Sequence, residues 1–421
     1  MYFDTVISET TLQFLTSPPF AIQPFVLFTT VNNPWSNSLV HNIPQPFPFG
    51  GASATFDFTN IAPIGLTVNE PNFVTPYGYQ YNLNTQWEFR KGYTVELGYV
   101  GSVGHHQLTR QEINPAIPGP GANTSNTDAR RVFNQGNPQN AAFGGSVFSG
   151  ITNQETSSNS VYNSLQGTIS HRFSKGFYFA NAYTWGHCID GSSGLRSNNN
   201  AFDMHRDRGN CDQDIRQRNA LSAIYELPWY KSQKGAMGRL LGGFEITGIF
   251  SAQTGSPFDV VESTDRSLTG AGDNRPDVVN GAVVFLNPRN TNSTNGGNNR
   301  FFNGTGGGTA TAATNPYFRR VGSGTTFALG AGRFGSMGRN VFHGPGFWNL
   351  DLSIIKRTHI TEKTNVEFRA EFFNIFNHAQ FNNPGANAPG WSSTNIASAN
   401  FGLISSTGNP RLIQFAMKVN F

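Results

Sequence analysis

The sequence predicts an all-β fold, a transmembrane antiparallel β-barrel with long extracellular loops. Three observations predict it: two-residue alternation sustained over long segments, a regular exchange of short and long connections, and charged residues on the face opposite each apolar one. The composition agrees. The 421 residues include 47 Gly, 23 Pro, 37 Phe and 12 Tyr, with only 13% charged, a mixture that disfavours helices and suits turns and pleated surfaces.

Ten residues of alternation open the pattern. Gln80, Asn82, Asn84, Gln86 and Glu88 interleave with Tyr81, Leu83, Thr85, Trp87 and Phe89, a strand period. After Arg90-Lys91-Gly92, the set Tyr93, Val95, Leu97 and Tyr99 alternates with Thr94, Glu96 and Gly98, which closes a hairpin. Leu165, Ile169 and Phe173 against Gln166, Thr168, Ser170 and Arg172 begin a second pair, which turns at Ser174-Lys175-Gly176 into Phe177, Phe179, Tyr183 and Trp185. A weaker third pair sets Leu221, Ala223, Tyr225 and Leu227 before a basic connection around Lys231 and Lys234, then Phe244, Ile246 and Phe250 against Glu245, Thr247 and Ser251. The fourth places Trp348, Leu350, Leu352 and Ile354 against Asn349, Asp351 and Ser353, then Val366, Phe368, Ala370 and Phe372 against Glu367, Arg369 and Glu371. A last strand aligns Ile413, Phe415, Met417, Val419 and Phe421 on one face.

Short connections at 90–92, 174–176, 228–240 and 358–363 alternate with long ones at 102–159, 188–216, 254–346 and 377–409. In a compact soluble domain four such loops would count against the assignment. A membrane barrel pairs short periplasmic turns with long extracellular loops as a rule. The segments run about 9 to 14 residues, the length a tilted membrane strand needs and longer than the usual soluble strand of about 5 to 6. Trp87, Phe89 and Tyr93 flank the first turn, while Tyr183 and Trp185 sit at the far end of their strand, as two aromatic girdles would. The opposite face carries Glu88, Glu96, Arg172, Glu245, Asp351, Glu367, Arg369 and Glu371. A dry sandwich core would reject these charges, whereas a wet barrel lumen accepts them. The mean hydropathy of -0.36 is then compatible with a membrane protein.

Nine strands are counted, and a closed bacterial barrel takes an even number, so about ten strands of a larger barrel are expected. A further strand is sought near Thr10 to Leu15 or Phe25 to Val31, within an upstream region 1–76 of strand and outer loop; 77–421 is the run of barrel strands. By parity the C-terminus lies on the periplasmic side. Asp4 and Glu9 stand where a signal peptide would carry positive charge, which predicts either no export or a chain lacking its own beginning. With 29 basic and 25 acidic residues, a net +4 and no basic block, a nucleic-acid partner is not indicated.

These strands and their loops resemble the C-terminal barrel of Oar-like TonB-dependent outer-membrane transporters. The resemblance is carried by the runs Gly332 to Pro384, Thr75 to His106 and Tyr162 to Asp190 and by the terminal RLIQFAMKVNF, and it extends at varying strength over about the whole chain. It implies a cell outer-membrane receptor that imports a large or scarce extracellular substrate, with the lipid bilayer and the barrel-assembly machinery as partners. It implies no cofactor. The family also has a signal peptide, a β-sandwich, a plug and a TonB-contacting segment upstream; none is visible here, so the TonB complex would be met only through such segments and the chain is expected to be a fragment. Phe415, Met417, Val419 and Phe421 would form the C-terminal signal read by the assembly machinery.

Other constellations have bland readings that outweigh the sharp ones. Gly330 to Gly335 spells G-x-G-x-x-G, but no helical period follows, as a dinucleotide site requires. Gly304 to Gly308 lacks the Lys-Ser/Thr of a phosphate loop. Asp203, Asp207, Asp212 and Asp214 crowd one loop and could offer oxygen ligands to calcium, but interspersed arginines and the missing EF-hand spacing favour a charge network that orders the loop. Cys188 and Cys211 bracket that loop; an oxidising exterior favours a bridge, subject to a Cα separation that sequence does not give. His105, His106, His187, His205 and His343 fall in outer loops without metal-ligand spacing. The sequons at Asn123, Asn292 and Asn303 are cheap in an Asn-rich chain. An enzyme is disfavoured for want of a nucleophile-base or metal signature. The alternative to a barrel is a secreted all-β carbohydrate-binding or adhesive protein.

Overall fold

A computed structural model of the chain describes residues 62–193, 200–272, 274–279, 285–289, 301, 317–361, 364–385, 394–398 and 400–421. The candidate strands at Thr10 to Leu15 and Phe25 to Val31 lie outside these residues, as do Gly304 to Gly308, Asn292 and Asn303.

The chain forms β1 (Ile64–Asn69), β2 (Tyr77–Arg90), β3 (Tyr93–Glu112), β4 (Phe148–Ser174), β5 (Phe177–Asp190), β6 (Gly209–Asn210) and β7 (Gln217–Glu226). A short helix α1 (Gly235–Leu241) follows, then β8 (Phe244–Gln253), β9 (Pro257–Phe258), β10 (Asp277–Val278), β11 (Phe318–Arg319), β12 (Phe342–His343), β13 (Phe347–His359), β14 (Asn365–Phe373) and β15 (Leu412–Asn420). Eleven strands share one sheet, whose main path runs β15-β14-β13-β8-β7-β5-β4-β3-β2. Every neighbour on that path is antiparallel. Among the described residues β2 and β15 do not pair, so the sheet is an open arc of a barrel.

Register holds each face constant from strand to strand, because a one-residue slip would exchange the faces. One row reads Trp87, Val95, Ile169, Asn181, Leu221, Phe250 and Leu350 from β2 to β13. The adjacent row, on the opposite face, reads Gln86, Glu96, Thr168, Ala182, Ala220, Ser251 and Asn349. The apolar face has no protein layer upon it: Leu83 is 77% exposed, Phe415 66% and Met417 72%. The buried apolar clusters lie in the loops instead. Phe258, Val260, Phe301, Phe318, Met337, Ile396, Phe401 and Ile404 join the 254–346 and 374–411 connections, and Ala122 packs with Leu268 and Ala331.

Three details differ from the sequence reading. β3 and β4 are 20 and 27 residues long, so the first long loop shrinks to 113–147. The outer half of β4 is rich in Ser, Thr and Asn and that of β3 is mostly polar, which reads as loop, but each supplies the other with a ladder through pairs such as Thr109 with Glu155. Pairing overrides composition. β1, unforeseen, runs parallel to β4 from Ile64 opposite Phe148 to Asn69 opposite Gln154, beside the stretch of β4 that β5 does not reach. The 228–240 connection contains α1.

Candidate functional site

The site has three layers: an apolar belt, a charged face behind it, and a folded cap at the long-loop end. In the belt, aromatic rings touch in sequence across five strands near the short turns. Trp87 meets Phe89 at 5.8 Å, Phe89 meets Tyr93 at 5.8 Å, Tyr93 meets His171 at 4.2 Å, and Phe177 meets Tyr225 at 6.2 Å. His171 links the halves by stacking on Phe177. Tyr and Trp rings combine apolar bodies with polar tips, which suits a hydrocarbon-water boundary.

On the opposite face, pairing brings the charges of three strands together. Arg357 lies across from Glu367 and next to Ile355, which pairs with both Glu245 and Arg369. The Arg357 guanidinium donates to Glu367 at 2.8 Å and to Glu245 at 2.6 Å, and Arg369 donates to Glu367 at 2.5 Å. Asp351 accepts from the Asn349 amide and the Asn374 backbone N–H, both at 2.8 Å. Glu371 stands opposite Ser353 and Gln414, and Glu96 opposite Gln86 and Thr168. Glu88 accepts from the Gly92 N–H at 2.7 Å and so also caps the first turn. Arg172 is exposed beside the second turn. Arg357, not singled out in the sequence, is the hub; its position on the Asp351 face at a spacing of six residues was the available signal.

In the cap, arginines from distant loops reach the acidic segment 203–214. Arg275 binds Asp207 at 2.5 Å, and Arg339 binds Asp190 and the backbone carbonyl of Asp207. Asp212 accepts from Asn340 at 2.7 Å. Asp203 accepts from the His205 N–H, capping a short 3-10 turn. Asp214, 1% exposed at its side chain, accepts from the Cys188 N–H at 2.8 Å, from Arg216 at 2.6 Å and from His187 at 3.2 Å, with His343 at 3.8 Å. Among the described residues no three His, Cys, Asp or Glu side chains are placed to hold a metal ion. At Asp207 and Asp214 guanidinium groups supply positive charge of the kind a cation would bring. Cys188 and Cys211 are joined by a disulfide with a Cα separation of 5.4 Å, and the Cys211 N–H also bonds the Cys188 carbonyl. Burial lowers the His343 pKa most, while Asp214 pulls it upward and Arg216 lowers it.

A second buried network was not legible in the sequence. Glu262, 1% exposed, holds Arg266 at 3.4 Å and Arg320 at 2.8 Å inside the cap. Arg131 binds Asp128 at 2.7 Å and donates to the Asn114 carbonyl, tying the 113–147 loop together. Where the cap meets β7 and β8, an open groove of about 480 Å³ is lined by Gln217, Arg218, Gln253, Thr254 and His343. The Gly330 to Gly335 run lies in the cap, where Gly330 ends a 3-10 turn in the left-handed region at φ 83°; the turn it makes is a loop turn, not the opening of a helix.

Among the described residues no helix is long and apolar enough to cross a membrane. Residues 1–414 match the family model for the outer membrane beta barrel domain. Solved structures to which the chain is similar include the pyoverdine outer membrane receptor FpvA from Pseudomonas aeruginosa PAO1 bound to pyoverdine, at 13% identity, TM-score 0.36, 83% of this chain and 30% of that one. The outer membrane transporter YddB from Escherichia coli matches at 9% identity, TM-score 0.41, with 85% of this chain and 34% of that one covered. The FrpB iron transporter from Neisseria meningitidis matches at 9% identity, TM-score 0.37, with 85% and 33% covered. The chain spans about a third of the length of these proteins. No curated protein matches. One-sided strands, an uncovered apolar belt and the match over 1–414 lead to one conclusion: the chain belongs to the outer membrane beta barrel domain family, a family of outer-membrane barrels and not of enzymes.

Proposed function

We propose that this chain is the C-terminal barrel portion of a TonB-dependent, Oar-like receptor that takes up a large or scarce substrate. The sequence resemblance supports the reading, and the single observation that carries it is the polar cap. The described residues of loops 113–147, 191–216, 254–346 and 374–411 are drawn into one folded body, by the Arg275–Asp207 and Arg339–Asp190 pairs, by Arg130 donating to the Leu268 carbonyl and by Val260 and Phe318 packed with Ile396 and Phe401, over one end of a sheet whose charged face points away from lipid. A receptor needs such a shaped, water-filled entrance. In this reading Glu88, Glu96, Arg172, Asp351, Glu367, Arg369 and Glu371 line the interior. Substrate contacts fall on the cap, with the groove at Arg218 and His343 as one contact surface.

Fractionation and uptake test the proposal. The protein should partition with outer membranes, need detergent for extraction and migrate differently after heating. Cells lacking the gene and cells lacking TonB should fail to grow on the same limiting nutrients. A soluble secreted monomer would support a carbohydrate-binding or adhesive protein instead. Growth losses that do not overlap would refute dependence on TonB.

A further inference from the structure

The short-turn end of the sheet carries one connection unlike the others. Arg90-Lys91-Gly92 and Ser174-Lys175-Gly176 are tight and polar. Between Leu227 and Phe244 the chain instead builds a packed structure around α1. Gly238 sits with its Cα face against the Gln233 backbone. The Gln233 amide donates to the Arg357 carbonyl at 2.9 Å and accepts from the His359 N–H at 3.1 Å, on the edge of β13 where pairing with β8 ends at Lys356. Lys356 donates to the Arg239 carbonyl at 2.7 Å and to the Gly242 carbonyl, and its ammonium lies 4.8 Å from the Phe244 ring centre. A cation at the C-terminal carbonyls of a helix is favourably placed.

Lys356 fixes the side on which α1 lies. It pairs with Phe244 and Phe368, and Phe368 pairs with Met417, so it belongs to the apolar face. The helix is therefore held on the lipid-facing side of the sheet, at its short-turn rim, and continues the aromatic belt that reaches Tyr225 in the preceding strand. What it shows to the outside is apolar. Met237, Leu240 and Leu241 are 59%, 64% and 40% exposed, at the i, i+3, i+4 spacing that makes one helical stripe. Trp229 and Tyr230, before it, are 62% and 54% exposed. A turn facing only water would not expose five large apolar side chains within so short a stretch. Around them, Lys231, Lys234 and Arg239 are exposed, with Glu226 as the nearby acidic neighbour, 3.9 Å from Lys231.

We infer that the 228–243 connection is an interfacial anchor that binds anionic phospholipid of the periplasmic leaflet. Met237, Leu240, Leu241 and Trp229 enter the acyl boundary, and Lys231, Lys234 and Arg239 hold headgroup phosphates. An apolar stripe rimmed by basic residues is the pattern of helices that lie in a membrane surface. Continuity with the belt selects lipid as the occupant, and the excess of positive charge selects anionic headgroups. The inference rests on the barrel reading, with short turns in the periplasm.

The test uses the full chain folded into vesicles of phosphatidylethanolamine with added phosphatidylglycerol. The native cysteines are bonded to each other and leave no free thiol among the described residues, so Met237→Cys can be labelled singly with an environment-sensitive fluorophore. Ile169→Cys, on the apolar face, and Lys91→Cys, in a tight turn, are the references. The label at 237 should be quenched by phospholipid carrying bromine on its tails and shielded from aqueous iodide, as at 169 and unlike 91. A label at 237 that behaves like 91, while 169 remains lipid-quenched, overturns the anchor and leaves the barrel standing. Loss of lipid quenching at 169 overturns both. Changing Lys231, Lys234 and Arg239 to Gln should lower retention of phosphatidylglycerol about fivefold per cation, as expected from ~1 kcal/mol for each basic residue near an anionic surface; unchanged retention refutes headgroup binding. Shielding that occurs in native envelopes but not in vesicles identifies a protein as the occupant and refutes the lipid.

Discussion

Ile169 and Thr168 are neighbours in β4 that separate the two faces of the sheet. Ile169 pairs with Val95 and Asn181 on the apolar face, whereas Thr168 pairs with Glu96 and Ala182 on the other. From the turn at Ser174, position 169 is about 16 Å along the strand at ~3.3 Å per residue. At a tilt of about 45° that is roughly 12 Å of height, near the middle of an apolar band ~25 Å tall. Ile169→Arg should therefore cost about 2–4 kcal/mol, the range for a basic residue at the midplane, or roughly 30- to 900-fold in the folded to unfolded ratio. Thr168→Arg meets Glu96 across the strand, and its effect should stay within about 1 kcal/mol. Urea titrations of vesicle-folded protein, read by heat-modifiable migration, measure both. Equal costs, or a larger cost at 168, would show that the apolar face does not meet hydrocarbon.

Four further outcomes follow from the same geometry. Arg357→Met should destabilise the folded barrel by about 1–2 kcal/mol, because Glu245 and Glu367 lose their shared donor; adding Glu245→Gln and Glu367→Gln should recover part of the loss in the same titration. Acidification should loosen the cap: burial keeps His343 below the ordinary histidine pKa, with Asp214 opposing and Arg216 and His187 adding to the shift. As pH falls through ~6.5 the unfolded loop gains a proton that the folded loop resists, so protease cleavage of the cap should rise and His343→Gln should flatten the profile; protection that grows in acid refutes this. Replacing both Cys188 and Cys211 by Ser should remove about 3 kcal/mol of loop-closure stabilisation for a separation of 23 residues, making the 191–216 segment sensitive to protease while heat-modifiable migration persists. Deleting 415–421, if that end is the assembly signal, should abolish membrane insertion in cells, and normal insertion would refute the role.

The nine main strands were legible in the sequence because period-two alternation is a local property, and each apolar or charged residue declares its face by parity alone. Trp87, Glu96, Phe368 and Arg369 needed no partner to be placed. The tight turns were legible for the same reason, through Gly92 and Gly176 in the left-handed region at φ 80° and 83°. Other features depend on contacts between segments far apart in the chain. The outer halves of β3 and β4 look like loop until each pairs with the other; β1 becomes a strand only beside β4. Arg339 finds Asp190 across 149 positions and Arg275 finds Asp207 across 68, and no spacing rule announces such pairs. Likewise α1 is an unremarkable basic connection in sequence, and only Lys356 and Gln233, reaching from β13 and the turn, hold it at the apolar face. Alternation by itself thus determined which side chains share a face; folding in three dimensions decided which loops meet, because buried charge is stable only where a distant partner closes the pair.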